Sequence, residues 1–208
     1  MIIAVDGAST DLSLALAEPD GTILADDAWS SAQRQSAELL PRLLALVASA
    51  DRSLGDLRAV AVGTGPGSFT GLRVAMAIAK GVSLGLGRPI FGVASLPAWL
   101  EAEPDAMAAV ARAGSREAYL LARGEEQPRI VDRDELNATD PLVTSADLAT
   151  AFGLADARPP HAAPAIARRA AERLAQDPAG DDLALLEPIY LRAPRGVSTE
   201  SPERVRWL

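Results

Sequence analysis

Residues 63–73, Gly-Thr-Gly-Pro-Gly-Ser-Phe-Thr-Gly-Leu-Arg, constrain the fold of this chain more than any other stretch. They follow an apolar run, Ala59-Val60-Ala61-Val62, short enough for a buried strand, and precede a small-residue helical pattern from Leu72 to Leu86. Four glycines on a strand-to-helix turn let the backbone bend tightly and come close to a neighbour. Ser68 or Thr70 suits the cap of the following helix, and the free N–H groups of such a helix start favour an anion, often a phosphate. Two readings stand side by side: a phosphate contact through Gly65, Gly67, Ser68 and Thr70, or a turn that packs closely and binds nothing. The spacing is neither a Walker A loop nor a dinucleotide fingerprint, since no Gly-Lys-Ser/Thr ending and no G-x-G-x-x-G occur.

The pattern around this turn predicts an α/β layer fold. Ile2 to Asp6, Leu12 to Ala17 and a return strand from Thr22 read as a meander, with a hairpin turn at Pro19-Asp20-Gly21. Residues 36–50 read as a helix whose Leu39, Leu40, Leu43, Leu44 and Val47 recur at helical spacing, with Pro41 near its start. Ile90 to Val93 is a further strand. Three meandering strands followed by helix, strand, helix and strand make a mixed sheet. Beyond about residue 95 the signal weakens: Leu96 to Arg112 reads as helical, Ala118–Ala122 and Arg129–Val131 as paired strands, Ala163–Ala175 as a helix, and Pro188 to Arg192 as a short extended segment. No internal repeat is convincing. A domain boundary falls near 95–105.

Aromatic residues make up only 4% of the chain against 49% hydrophobic residues overall, so the core has to be built from Ala, Leu and Val. No apolar run approaches the ~18–20 residues that span a bilayer, and no secretory signal is visible; cytoplasmic location is expected. With no Cys, disulfides, thiolate nucleophiles and Cys-type zinc sites are excluded. A net charge of −8 leaves only a small terminal cluster, Arg192, Arg195, Arg204 and Arg206, to meet nucleic acid. If the chain acts on nucleic acid, a partner supplies most of the grip.

Asp6, followed by Gly7, Ser9 and Thr10, is the first candidate for chemistry: a magnesium or phosphate site, or else an acid that caps its own turn. His161, the only histidine, sits in a Pro- and Ala-rich loop with no carboxylate near it in sequence, and reads as solvent-exposed. Asp26-Asp27 and Asp181-Asp182 read as solvated acids. No metal-ligand spacing is present. Between Leu72 and Leu86, Ala77, Gly81 and Gly85 form one small-residue stripe, and Ala75, Ala79 and Ser83 a second; small stripes let another helix approach. One can face the sheet and leave the other for a partner. With Leu39, Leu43 and Leu72 they make a candidate partner interface, the alternative being that both helices only cover their own sheet.

Ile2 to Thr10, Ser36 to Pro41, Val62 to Arg73, Pro89 to Leu96 and the near-terminal Pro188 to Arg192 together resemble the TsaB (YeaZ) family. The resemblance implies a fold of the actin, Hsp70 and sugar-kinase type (ASKHA): two related α/β domains, here residues 1–100 and a short, degenerate second domain over 101–208. It implies a non-catalytic subunit in the formation of N6-threonylcarbamoyladenosine beside the anticodon of tRNAs reading codons that begin with adenine. The partner implied is the paralogue TsaD, which transfers the threonylcarbamoyl group from threonylcarbamoyl-adenylate, joined by the ATPase TsaE; alone, such a subunit pairs with itself through the same helical face. tRNA is reached only through the complex, and no membrane is involved. No cofactor is required by this chain, ATP and magnesium being used by its partners. Consistent with that, no second Asp-x-Gly loop is found in residues 100–208, and Gln35-Ser36-Ala37-Glu38 lacks the transferase's metal-binding histidines. The chain departs from its relatives early in the second domain, where Glu117 and Tyr119 of an Asp-Ala-Arg-x-x-Glu-Val-Tyr strand remain but its Asp and Arg do not. The alternative is an ATP-dependent phosphotransferase or ATPase of the same fold, using Asp6 and the Gly-rich turn.

Overall fold

The meander closes as expected: β1 (Ile2–Asp6), β2 (Asp11–Ala17) and β3 (Ile23–Ser30) are antiparallel neighbours. A turn between β2 and β3 is held by Gly21, at φ +88°, donating to Glu18. Next come α1 (Gln35–Ser49), β4 (Ala59–Gly63), α2 (Phe69–Leu86) and β5 (Ile90–Val93). β4 lies parallel to β1 and β5 parallel to β4, so the sheet order is β3-β2-β1-β4-β5. A computed structural model describes residues 1–31, 33–137 and 139–189. The terminal arginine cluster and Tyr190 to Arg192 of the expected extended segment lie outside those residues.

Residue size decides what covers each face of this sheet. Ile3, Val5, Leu12, Leu14 and Leu16 point to one side and pack with Leu39, Leu43 and Val47 of α1 and Ala75, Met76 and Ala79 of α2. Ile2, Ala4, Ala15, Ala17, Ala59 and Ala61 point to the other. That alanine-lined side admits α5 (Ala163–Gln176), whose own Ala163, Ala167, Ala170 and Ala171 allow a close approach. Small residues on both surfaces explain how so few aromatics suffice.

The second half differs from the sequence reading in one place. α3 (Ser95–Ala102) ends well before Arg112, and Ala108–Arg112 forms β6, a central strand, rather than continuing the helix. The alanines carry helix propensity, but here they pair with β7 (Glu117–Ala122), and pairing with neighbours outweighs that intrinsic preference. β7 and β8 (Arg129–Asp132) form the expected antiparallel pair. β9 (Leu142–Thr144), α4 (Ala146–Phe152) and β10 (Ala157–Arg158) follow in a region the sequence left unassigned. The sheet order is β10-β9-β6-β7-β8. Three antiparallel strands flanked by two parallel ones are the same order as in the first sheet, so a repeat invisible in the sequence exists in the topology. The second copy is reduced: a single 3-10 turn, Arg133–Glu135, stands where the first has α1.

The two halves exchange helices. α3 leaves β5 and packs against β6, while α5 leaves β10 and packs across β1, β2, β4 and β5. α3 and α5 lie against each other between the sheets, in one core that joins Phe91 and Trp99 with Ala109, Tyr119, Leu121 and Val143 of the second sheet. Residues 101–208 thus contribute a helix to the layer of the first sheet.

α2 also departs from the hydropathy reading. It has 18 residues and a mean hydropathy of 1.3, long and apolar enough to cross a membrane by those measures. In the fold, Leu72, Ala75, Met76, Ala79 and Ser83 are buried against the sheet and neighbouring elements, while the opposite face is exposed.

Candidate functional site

The turn Asp6 to Thr10 and the Gly-rich turn are packed directly on each other. The Ser68 amide donates to the Ala8 carbonyl at 2.7 Å. A Cβ on Gly67 would collide with that same carbonyl, and one on Gly71 with the Gly7 carbonyl; one on Gly7 would sit 2.6 Å from the Gly71 oxygen. The glycines are therefore required by close backbone contact. Ser68 is the cap of α2, its hydroxyl accepting from the Gly71 amide at 3.2 Å. Thr70 is exposed beside it, and Gly65 holds a φ of +89° with its amide donating to Ser95 Oγ at 3.0 Å.

Asp6 corrects the expectation of a phosphate or magnesium contact. Its side chain is buried, with the residue 1% exposed, and both oxygens are taken: Ser95 Oγ donates to Oδ1 at 2.8 Å and Trp99 Nε1 to Oδ2 at 2.7 Å. Gly63 is glycine because a Cβ there would strike Oδ1. Burial pushes the Asp6 pKa up, and bonds from Trp99, Ser95, Ala8 and Gly7 pull it back only in part. This carboxylate braces the end of β1 against α3. The scarcity of tryptophan was a usable signal, because a buried indole N–H needs an acceptor.

The neighbouring polar residues tie the halves together. Ser9 Oγ closes its own turn, donating to the Asp11 carbonyl at 2.8 Å and accepting from the Asp11 amide. Thr10 donates to Asp147 of α4 at 2.7 Å, and Arg112 donates to the same carboxylate at 2.9 Å. Asp11 accepts from the Ala146 amide at 3.0 Å. His161 is not isolated as its sequence context implied: Nε2 stands 3.0 Å from Asp26 Oδ2, at ion-pair distance but without the alignment of a hydrogen bond. Among the described residues no group of three or more His, Asp or Glu could hold a metal ion.

The helical face divides sharply. Leu39, Leu43 and Leu72 are fully buried in the chain's own core and are corrected out of the partner interface. Helical rotation puts Leu40 and Leu44 outside instead, 40% and 44% exposed. On α2 the stripe Ala75, Ala79 and Ser83 faces in, while Ala77, Gly81 and Gly85 face out. An added Cβ at Gly81 or Gly85 would meet nothing. Phe69 and Leu84 are exposed at the two ends of the helix, 47% and 72%. Along the same helix runs a groove of about 350 Å³ between Arg73, Met76, Ala77 and Lys80 on one side and Glu187 and Pro188 on the other.

The second wall comes from a strap, residues 177–189, of which the sequence reading held only the extended end from Pro188. The Asp181 amide donates to the Ile90 carbonyl at 2.8 Å, and the Gly92 amide donates to Asp181 Oδ2 at 2.7 Å. Arg173 donates to the Gly92 carbonyl at 2.9 Å and pairs with Asp181. The Ile189 amide donates to the Thr64 carbonyl at 2.7 Å. The strap covers the outer edge of β5, and Asp181 is thus bound rather than solvated.

A family model described as TsaD, tRNA N6-adenosine threonylcarbamoyltransferase, matches residues 29–181, well over half of the chain. The chain belongs to the family of TsaD and its TsaB (YeaZ) relatives. A Mycobacterium tuberculosis protein described as uncharacterized is 32% identical over 203 residues, 93% of this chain and 92% of that protein. The tRNA threonylcarbamoyladenosine biosynthesis protein TsaB of Escherichia coli is 38% identical over 96 residues, 46% of this chain and 40% of that protein. The structure of YeaZ from Pseudomonas aeruginosa superposes with a TM-score of 0.67 at 23% identity, covering 91% of this chain and 99% of that one. The fold is thus the ASKHA type, with two mixed sheets of the same strand order.

Proposed function

We propose that this chain is a non-catalytic subunit for the formation of N6-threonylcarbamoyladenosine in tRNA, binding and activating a TsaD transferase through the outward face of α1 and α2. The observation that carries this is α2 itself. A helix with the mean hydropathy of a membrane span has only 33% of its length buried in its own chain. An apolar face of that kind calls for a cover. Its outward residues, Ala77, Gly81 and Gly85, are small enough for a partner helix to come close. Similarity to TsaB over about half of the chain supports TsaD as that partner, with TsaE joining and with self-pairing when TsaD is absent. In this reading the subunit works in the cytoplasm, takes no nucleotide or metal of its own, and reaches tRNA only through the complex. The engagement of Asp6, Ser9 and Thr10 within the fold supports a structural rather than a catalytic use of the first loop.

The test is depletion of the protein in its own cell, with threonylcarbamoyladenosine measured in hydrolysed tRNA by mass spectrometry. The expected result is loss of the nucleoside, restored by the wild-type chain and not by Gly81→Arg or Ala77→Glu, each of which melts like wild type. An unchanged nucleoside level after depletion overturns the function. Full rescue by both variants overturns the face.

A further inference from the structure

The turn between β1 and β2 reaches across to the second half of the chain. Thr10 Oγ1 donates to Asp147 Oδ1 at 2.7 Å, and the neighbouring Asp11 accepts from the Ala146 amide through Oδ2 at 3.0 Å. Two adjacent residues of the first half are thus bonded to two adjacent residues of the second, 137 and 135 positions away, with each side contributing one carboxylate. On β2, Ser13 Oγ accepts from the Ala163 amide at 3.0 Å, where α5 returns from the second half. Arg112, at the end of β6, donates to Asp147 Oδ2 at 2.9 Å, so that carboxylate is held from both sides. Burial pulls the Asp147 pKa up, but bonds from Ser145, Thr10 and Arg112 outweigh it and keep the group below its ordinary value. The chain itself passes between the halves at 103–107 and again at 159–162. Short crossings of this kind are where a hinge would bend, and the Thr10–Asp147 and Asp11–Ala146 bonds lie outside both.

We infer that these bonds are a clamp that holds the two halves closed without a ligand. A bond between partly exposed charged groups is worth little alone, but bonds between neighbouring residues are coupled and do not act independently. The anion that Thr10 and Arg112 meet is the chain's own Asp147. The α2 face is then carried by a rigid body, which lowers the ordering cost of association. The clamp is independent of which partner that face meets.

The chain has no cysteine, so Ala48→Cys on α1 and Ala151→Cys on α4, both at exposed positions, take a pair of spin labels whose separation reports on the two halves. In the otherwise wild-type chain one narrow separation is expected, unchanged by magnesium-ATP. Thr10→Val combined with Asp147→Ala is expected to broaden it and to speed hydrogen exchange at the Ala146 amide about tenfold, with circular dichroism unchanged. Arg116→Ala, which breaks a pair within the second half, is expected to move neither readout. If the double variant fails to fold, Thr10→Val alone, which removes one donor, carries the same comparison. A clamp variant as narrow and as protected as wild type overturns the clamp, because the shared core then suffices. A wild-type separation that is broad, or that shifts on adding magnesium-ATP, also overturns it, because closure is then absent or needs a ligand. Neither result bears on the loss of threonylcarbamoyladenosine, which tests the function separately.

Discussion

Removing the Asp6 carboxylate with Asp6→Ala is expected to lower stability by about 2–4 kcal/mol. Asp6 accepts from Ser95 Oγ and Trp99 Nε1, and both donors belong to wholly buried residues. Each buried donor left without an acceptor costs about 1–3 kcal/mol. Relief from burying a carboxylate offsets part of the sum of the two. For a chain of this size each kcal/mol moves Tm by about 2–4 °C, so calorimetry should show a fall of roughly 5–15 °C. Asp6→Asn keeps the shape but turns an N–H towards one of the two donors, and should fall between alanine and wild type. Its pH dependence has a definite sign. Because burial raises the Asp6 pKa, the folded protein holds that proton more tightly than the unfolded chain does. The stability this proton supplies is complete below the unfolded value of about 3.9 and is lost as pH rises through the folded value. The advantage of wild type over Asp6→Asn should therefore shrink as pH rises across that window. A double-mutant cycle with Trp99→Phe should show a coupling of about 1.5–3 kcal/mol. Additive effects in the cycle, together with an Asp6→Ala melting point within about 1 °C of wild type, would refute the brace.

The glycines of the two turns and of α2 should behave oppositely. Gly67→Ala forces a Cβ into the Ala8 carbonyl and should sharply reduce folded yield, whereas Gly81→Ala, with open space around it, should leave Tm unchanged or raise it by removing a helix-interior glycine worth about 0.5–1 kcal/mol; circular dichroism melts compare the two. Asp181→Ala should speed hydrogen exchange at the Gly92 amide, read by mass spectrometry, because the strap loses its hold on β5; unchanged protection would mean the edge is covered by other contacts. Burial pulls the Asp181 pKa up, but Arg173 and the Gly92 amide outweigh it and hold it below its ordinary value. Its contribution is present above the unfolded pKa and is lost as pH falls through the folded one, so Asp181→Asn should flatten the acid limb of the stability profile.

The sequence by itself determined the first sheet. Short apolar runs, a hairpin turn and a Gly-rich strand-to-helix junction are local signals, and they set β1 to β5, α1 and α2 to within a few residues. The motifs from Ile2 to Leu96 also carried the family. Tertiary structure decided what lay beyond local reach. Ala108 to Arg112 is a strand because its neighbours in the second sheet pair with it, against the helix propensity of its alanines. α5 crosses back to the first sheet because the alanine-lined side of β1, β2 and β4 leaves room for it, and no sequence period announces a contact between residues more than a hundred positions apart. The same holds for side-chain use. Asp6 has the position of a phosphate-loop acid, yet Ser95 and Trp99, about ninety residues away, consume its oxygens. The rotation of α1 and α2 against the sheet decided which leucines are core and which small stripe faces out, because a helical period defines faces but only packing chooses between them.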